Sequence, residues 1–181
     1  MELVYETHST TTDNENGIAT GWLGGRLSEE GRRQAAELGE RRRDDGLAAA
    51  FVSDLARAVE TAEIALAGSG VPCFEDARLR ECDYGELNGM PVARLAADRA
   101  RRVEEPWPGG ESYQQVVERT REFLREVAAG WSGQRVLVIS HSANRWALQS
   151  LLEGADLREL VAAPFDWRPG WEFEVPAGWP G

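Results

Sequence analysis

The run Val136-Leu137-Val138-Ile139 is apolar at every position. A strand that hides one face alternates apolar and polar residues, whereas an unbroken apolar run belongs to a strand covered on both faces. Residues 136–140 therefore predict the central strand of a sheet with helices on either side. Residues 2–7 predict a first strand of the same kind. Between them, strand-like and helix-like stretches alternate. Ser28 caps a helix that has acids in its first turn, arginines in its last and a stop at Gly46. Residues 49–53 predict a strand and 54–67 a helix, with Leu55, Val59, Ala62 and Leu66 at helical spacing. A short strand follows at 71–74, then an irregular loop at 79–91 and a helix at 92–103. The clearest helix is 111–129, with Gly130 as its cap. A further helix, 142–153, leaves the central strand, and 171–175 alternates like an edge strand. Residues 9–25 read as a loop. The pattern predicts an α/β fold: a three-layer α/β/α sandwich with a mostly parallel central sheet, as one domain over 1–181.

Composition narrows the function. With 20 basic and 31 acidic residues the net charge is -11, and every basic residue is arginine. Such a surface repels nucleic acids and anionic membranes, whose binding relies on Lys and Arg, so neither is expected as a partner. A local field in a cleft still permits a small anionic substrate. Cys73 and Cys82 lack metal or redox spacing. No signal peptide is visible and no apolar run approaches the roughly 20 residues that span a bilayer. The expectation is a soluble cytoplasmic protein, with a homodimer left open.

The chain has only two histidines, and each follows a predicted strand and precedes a serine: Thr7-His8-Ser9 and Ser140-His141-Ser142. In open α/β sheets ligands bind beyond the carboxyl ends of the strands, so the two could share one site. His8 opens a Ser/Thr/Asn-rich loop that offers oxyanion donors, or it caps a polar turn. His141 stands where a helix N-terminus attracts anions, or it caps that helix. Arg57 sits at a helix start, where a cation is disfavoured; an anionic ligand, or an ion pair with Asp54 or Glu60, would relieve that conflict. Glu81 follows Leu79 in a loop, as a general acid in an apolar pocket or as ordinary surface charge. Trp22, Tyr84, Trp107 and Trp146 either line a pocket for a ring-bearing group or pack in the core. The Arg32-Arg33 and Arg41-Arg42-Arg43 runs read as solvated helix faces.

In this context the chain resembles the histidine phosphatase superfamily, the phosphoglycerate-mutase-like group, over roughly residues 2–153. His8 is followed by Thr11, Asn14 and Gly21-Trp22 at the family's offsets. Leu27-Ser28-Glu29-Glu30-Gly31 resembles its first helix, and Ser53-Asp54-Leu55-Ala56-Arg57-Ala58 its second phosphate-binding arginine. Leu79-Arg80-Glu81 with Tyr84-Gly85 is similar to the proton-donor segment. Pro108-Gly109-Gly110-Glu111-Ser112 matches a turn before a long helix, and Val138-Ile139-Ser140-His141 the second-histidine strand. The resemblance implies that His8 takes a phosphoryl group, that Arg57 and His141 hold its oxygens, and that Glu81 protonates the leaving alkoxide and then activates water. It also implies that Asn14, Thr20, Gly21, Tyr84 and Ser142 line the substrate site. Neither metal nor cofactor is implied.

The first motif departs from the family's Arg-His-Gly. Thr7 replaces an arginine whose contact with phosphate is worth about 1.5–3 kcal/mol, and Ser9 replaces glycine. Arg26 or Arg145 could substitute, the substrate could carry less charge, or catalysis could be weakened, leaving a binding or regulatory protein. Retention of His8, Arg57, Glu81 and His141 favours the first. The short chain without a basic insert favours hydrolysis of a small phosphorylated substrate over mutase chemistry. A metallohydrolase using both histidines is disfavoured because no ligand spacing supports it.

Overall fold

The structure is a computed structural model, and it describes residues 1–164 and 168–181. Its five-stranded sheet has the order β4-β3-β6-β1-β7. These strands are β1 (Glu2–Thr7), β3 (Ala49–Val52), β4 (Cys73–Glu75), β6 (Arg135–Ser140) and β7 (Trp171–Glu174). The first four are mutually parallel, and β7 joins β1 antiparallel at the edge. β6, with its unbroken apolar run over 136–139, is the middle strand, as that lack of alternation predicts.

Side chains alternate across a strand, and the two faces have separate cores. Leu3, Tyr5, Phe51, Val136 and Val138 pack with Phe123, Leu124 and Val127 of α5 (Tyr113–Gly130). Val4, Ala50, Val52, Leu137 and Ile139 pack with Leu38 of α2 (Glu29–Arg42) and with Ala58, Ala62 and Ala65 of α3 (Ala56–Ala65). Each fully buried large side chain contributes about 1.5–3 kcal/mol, so both helix layers are held by the same strands. The outcome is the three-layer α/β/α arrangement. A third cluster lies beyond the sheet and joins α5 to α6 (Ser142–Glu153) through Tyr84, Leu95, Trp107, Tyr113 and Trp146.

Several local expectations are corrected. The presumed loop after His8 contains α1 (Thr12–Glu15) and β2 (Ile18–Ala19), which pairs with β5 (Met90–Pro91). The helix expected over 92–103 is only α4 (Val92–Ala96), followed by turns. Gly130 lies inside α5, and Trp131 is the cap. An unanticipated α7 (Leu157–Ala162) starts at Asp156, whose side chain caps two backbone N–H groups. The Arg41-Arg42-Arg43 run is not merely solvated. Arg42, its side chain 9% exposed, and Arg41 both bind the buried Glu6 carboxylate at the end of β1. Leaving that carboxylate unpaired would be costly. Arg32 and Arg33 are exposed and pair with Glu60, Glu30 and Glu37. The cysteines are free, Cys73 exposed and Cys82 buried. Among the described residues no helix is long and apolar enough to cross a membrane.

Candidate active site

Three parallel strands end side by side, and each delivers a polar residue. The register pairs Thr7 with Ser140 and Val52 with Ile139, so His8, His141 and Ser53 leave the sheet together. The His8 and His141 rings stand 5.0 Å apart between centroids. The His8 N–H donates to the Ser140 carbonyl, continuing the ladder one residue past the strand.

The His8 ring is oriented by its own turn. Nδ1 lies 2.8 Å from the Ser9 carbonyl oxygen, which can only accept, so Nδ1 carries the proton and Nε2 keeps its lone pair. Burial, reinforced by the Arg57 charge, pulls the imidazole pKa down to about 3. His8 is thus neutral at ordinary pH. Ser9, unusual for the motif, is accommodated: its N–H donates to Thr61 Oγ1, and no non-glycine residue among those described has positive φ. The next turn is fixed by a capping box. Thr11 Oγ1 accepts from the Asn14 N–H, and Asn14 Oδ1 accepts from the Thr11 N–H. That gives a physical reason for the Thr11/Asn14 spacing. The loop also lies tight on α2, where a Cβ on Gly31 would come within 1.8 Å of the Thr10 carbonyl oxygen.

His141 has a different environment. It is 0% exposed. Arg57 donates to its Nδ1 at 3.3 Å, so Nε2 bears the proton and donates to Ser53 Oγ at 2.9 Å. Burial first, then the Arg57 charge, holds its pKa well below the usual value. With both nitrogens engaged, His141 does not reach the cavity wall. Its two ring nitrogens hold Arg57 and Ser53. Arg57 as a residue is 2% exposed, and its guanidinium also donates to the Gly21 and Leu23 carbonyls at 2.8 and 3.3 Å. The ion pair with Asp54 or Glu60 does not form: Asp54 pairs with Arg80, and Glu60 with Arg32.

Glu81 sits on a segment tied down from several sides. Ser140 Oγ donates to the Leu79 carbonyl at 2.6 Å, and Arg119 donates to the carbonyls of Arg78 and Glu81. The Trp22 indole N–H also donates to the Glu81 carbonyl, at 2.6 Å. Arg119 in turn holds the Glu111 carboxylate, which accepts from the Asp83 N–H. Gly85 permits the close approach, since a Cβ there would meet the Pro108 carbonyl at 2.1 Å. Glu81 as a residue is 8% exposed, and burial raises its pKa, opposed by the Cys82 N–H bond and by Arg57.

His8, Arg57 and Glu81 line one cavity of about 360 Å³ together with Asn14, Thr20 and Gly21. Tyr84 and Ser142 line it as well. Thr7 is also on the wall, and it brings no charge. The arginines expected to compensate are elsewhere: Arg26 is exposed and off the wall, and Arg145 stacks on Trp171 at 4.7 Å. Sequence reasoning missed Ser53, Arg119 and Gln34, whose Oε1 holds Thr10, and it missed Arg99, the other arginine on the wall. Of the aromatics, Trp146 lines the cavity as well as packing, while Trp107 lies in the core.

Comparison with known proteins identifies the family and the fold. The family model for the histidine phosphatase superfamily (branch 1) matches residues 7–166. A 2,3-bisphosphoglycerate-dependent phosphoglycerate mutase from a Methylobacterium species is 34% identical, covering 84% of this chain and 80% of the relative. Among solved structures, Bacillus stearothermophilus YhfR superposes with a TM-score of 0.87 at 29% identity, over 98% of this chain and 92% of that one. A mycobacterial glucosyl-3-phosphoglycerate phosphatase superposes with a TM-score of 0.76 at 28% identity, over 89% and 83%.

Proposed function

This chain belongs to the histidine phosphatase superfamily, and we propose that within it the chain is a phosphomonoester hydrolase working through a phosphohistidine on His8. The observation that carries this reading is the pairing in one cavity of a neutral His8 with its Nε2 lone pair uncommitted and a buried Glu81 whose pKa is raised. Nε2 attacks phosphorus while the ester P–O bond breaks, and protonated Glu81 gives its proton to the leaving alkoxide. The Glu81 carboxylate then takes a proton from water, the water oxygen attacks phosphorus, and the P–N bond breaks. Inorganic phosphate leaves, and His8 and Glu81 return to their starting states. Arg57 offsets charge on the transferring group, with His141 fixing its guanidinium, and Asn14 and the Ser142 N–H add neutral hydrogen bonds.

Hydrolysis is favoured over transfer between two phosphate positions by the rest of the wall. Ile18, Ala19, Val92 and Trp146 give it an apolar stretch beside the polar Thr10, Gln34 and Arg99, and the exposed Trp22, Leu23 and Met90 belong to the adjoining loop and ribbon. An alcohol with an apolar or ring-bearing body suits that surface better than a second phosphate does. The test is turnover of an aryl phosphate in EDTA by wild type and Glu81→Gln. Wild type should release phosphate and alcohol in equal amounts. As pH rises through the raised Glu81 pKa, its kcat/KM should fall, because the acid form is lost. Glu81→Gln should be slower by about 10²–10⁴-fold and lack that limb. A wild type inert towards aryl phosphates, or one that only exchanges phosphate between bisphosphate and monophosphate acids, contradicts the reading.

A further inference from the structure

We propose that Arg99 supplies the second guanidinium of the phosphoryl site, in the role that Thr7 leaves empty; this rests on the phosphatase reading above. Among the described residues, two arginines line the cavity, Arg57 and Arg99. Arg57 is committed to the Gly21 and Leu23 carbonyls and to His141. Arg99 has no such commitment. Its Nε is buried without a hydrogen-bond partner, and its other N–H groups find none among the described residues. A buried donor left unpaired costs about 1–3 kcal/mol, so an anionic acceptor bound in the cavity that Arg99 lines would stabilise it.

Position supports the assignment. The Arg99 guanidinium carbon lies 5.9 Å from the centre of the Trp146 ring. Trp146 is four residues after Ser142, the first residue of α6, and both line the cavity. Residues four apart on a helix are neighbours one turn along the same face. Arg99 therefore lies over the ring of a residue in the second turn of a 12-residue helix and shares a cavity with that helix's first residue, where backbone N–H groups and the helix dipole favour an anion. The sequence hides this arrangement, because Arg99 is remote from His8 along the chain and lies in the turns that replace the expected helix after Ala96.

The test is calorimetric binding of inorganic phosphate to wild type, Arg99→Ala, Arg99→Lys and, as control, Arg94→Ala, an exposed arginine off the cavity wall. Arg99→Ala should weaken binding by about 10- to 100-fold. Arg99→Lys, which keeps the charge but not the fork, should fall between, and Arg94→Ala should match wild type. In kinetics, Arg99→Ala should lower kcat/KM by the same factor for phenyl phosphate and for 4-carboxyphenyl phosphate. Unchanged phosphate affinity overturns the assignment. So does a loss confined to the carboxylated substrate, which would make Arg99 a reader of the leaving group. Phosphate binding needs no turnover. Binding through Arg99 without hydrolysis would thus remove the proposed reaction and keep this assignment, and hydrolysis indifferent to Arg99 would do the reverse.

Discussion

The ends of β1 and β6 carry the same motif in outline, strand then histidine then serine, and they lie side by side in register. Their histidines nevertheless do different things. At the end of β1 the Ser9 carbonyl accepts a hydrogen bond from His8 Nδ1, and none of the described residues engages Nε2. At the end of β6 Arg57 and Ser53 take both ring nitrogens of His141, and the ring is sealed from solvent. The two sites diverge at the element that each histidine leads into. Ser9 begins a turn and a polar loop, so the His8 ring borders a cavity. Ser142 begins α6, so the His141 ring is pressed between strand ends, and its carbonyl accepts from the Tyr5 hydroxyl at 2.5 Å. In the proposed reaction the histidine with one uncommitted nitrogen is the nucleophile, and the one with both nitrogens engaged positions Arg57.

Replacing each histidine tests that division most strongly. His8→Ala should reduce kcat for an aryl phosphate by at least about 10⁴-fold, the scale seen when a covalent nucleophile is removed. His141→Asn should cost less, about 10- to 100-fold, by letting Arg57 drift from its position. Equal losses at both positions, measured in steady-state kinetics on folded variants, would erase the distinction. A smaller effect should come from Ser53→Ala. It strands the buried His141 Nε2 proton, and chemical denaturation should show a loss of about 1–3 kcal/mol in stability with only a mild fall in kcat/KM. A stability equal to wild type would mean that the Ser53 contact does not hold His141.

The same contrast shows what a sequence can display. β6 was legible because four consecutive apolar residues leave no face for solvent, and the strand–histidine–helix order at its end follows from that. His8, Asn14, Arg57 and Glu81 were legible through the motifs that contain them, and the structure brings all four to one cavity. The roles of Ser53 and Arg119 were not, because their partners lie 88 and 38 residues away and no local pattern records such pairings. Arg26 and Arg145 stand out in the sequence for nearness in the chain to the site. Arg99, which lines it along with Arg57, comes from turns between α4 and α5 whose path depends on packing against Trp146 and Trp107. The α1 helix was missed because it is only four residues long, although Thr11 and Asn14 already had capping spacing.

The central claim is that of two adjacent neutral histidines only His8 carries the phosphoryl group. The direct measurement is to mix the enzyme with an aryl phosphate, quench it at alkaline pH within the first turnover, and locate the added phosphoryl group by peptide mass spectrometry. The account predicts an acid-labile modification on the peptide containing His8 and none on the peptide containing His141. A phosphoryl group on His141, or turnover without any phosphohistidine, would contradict it.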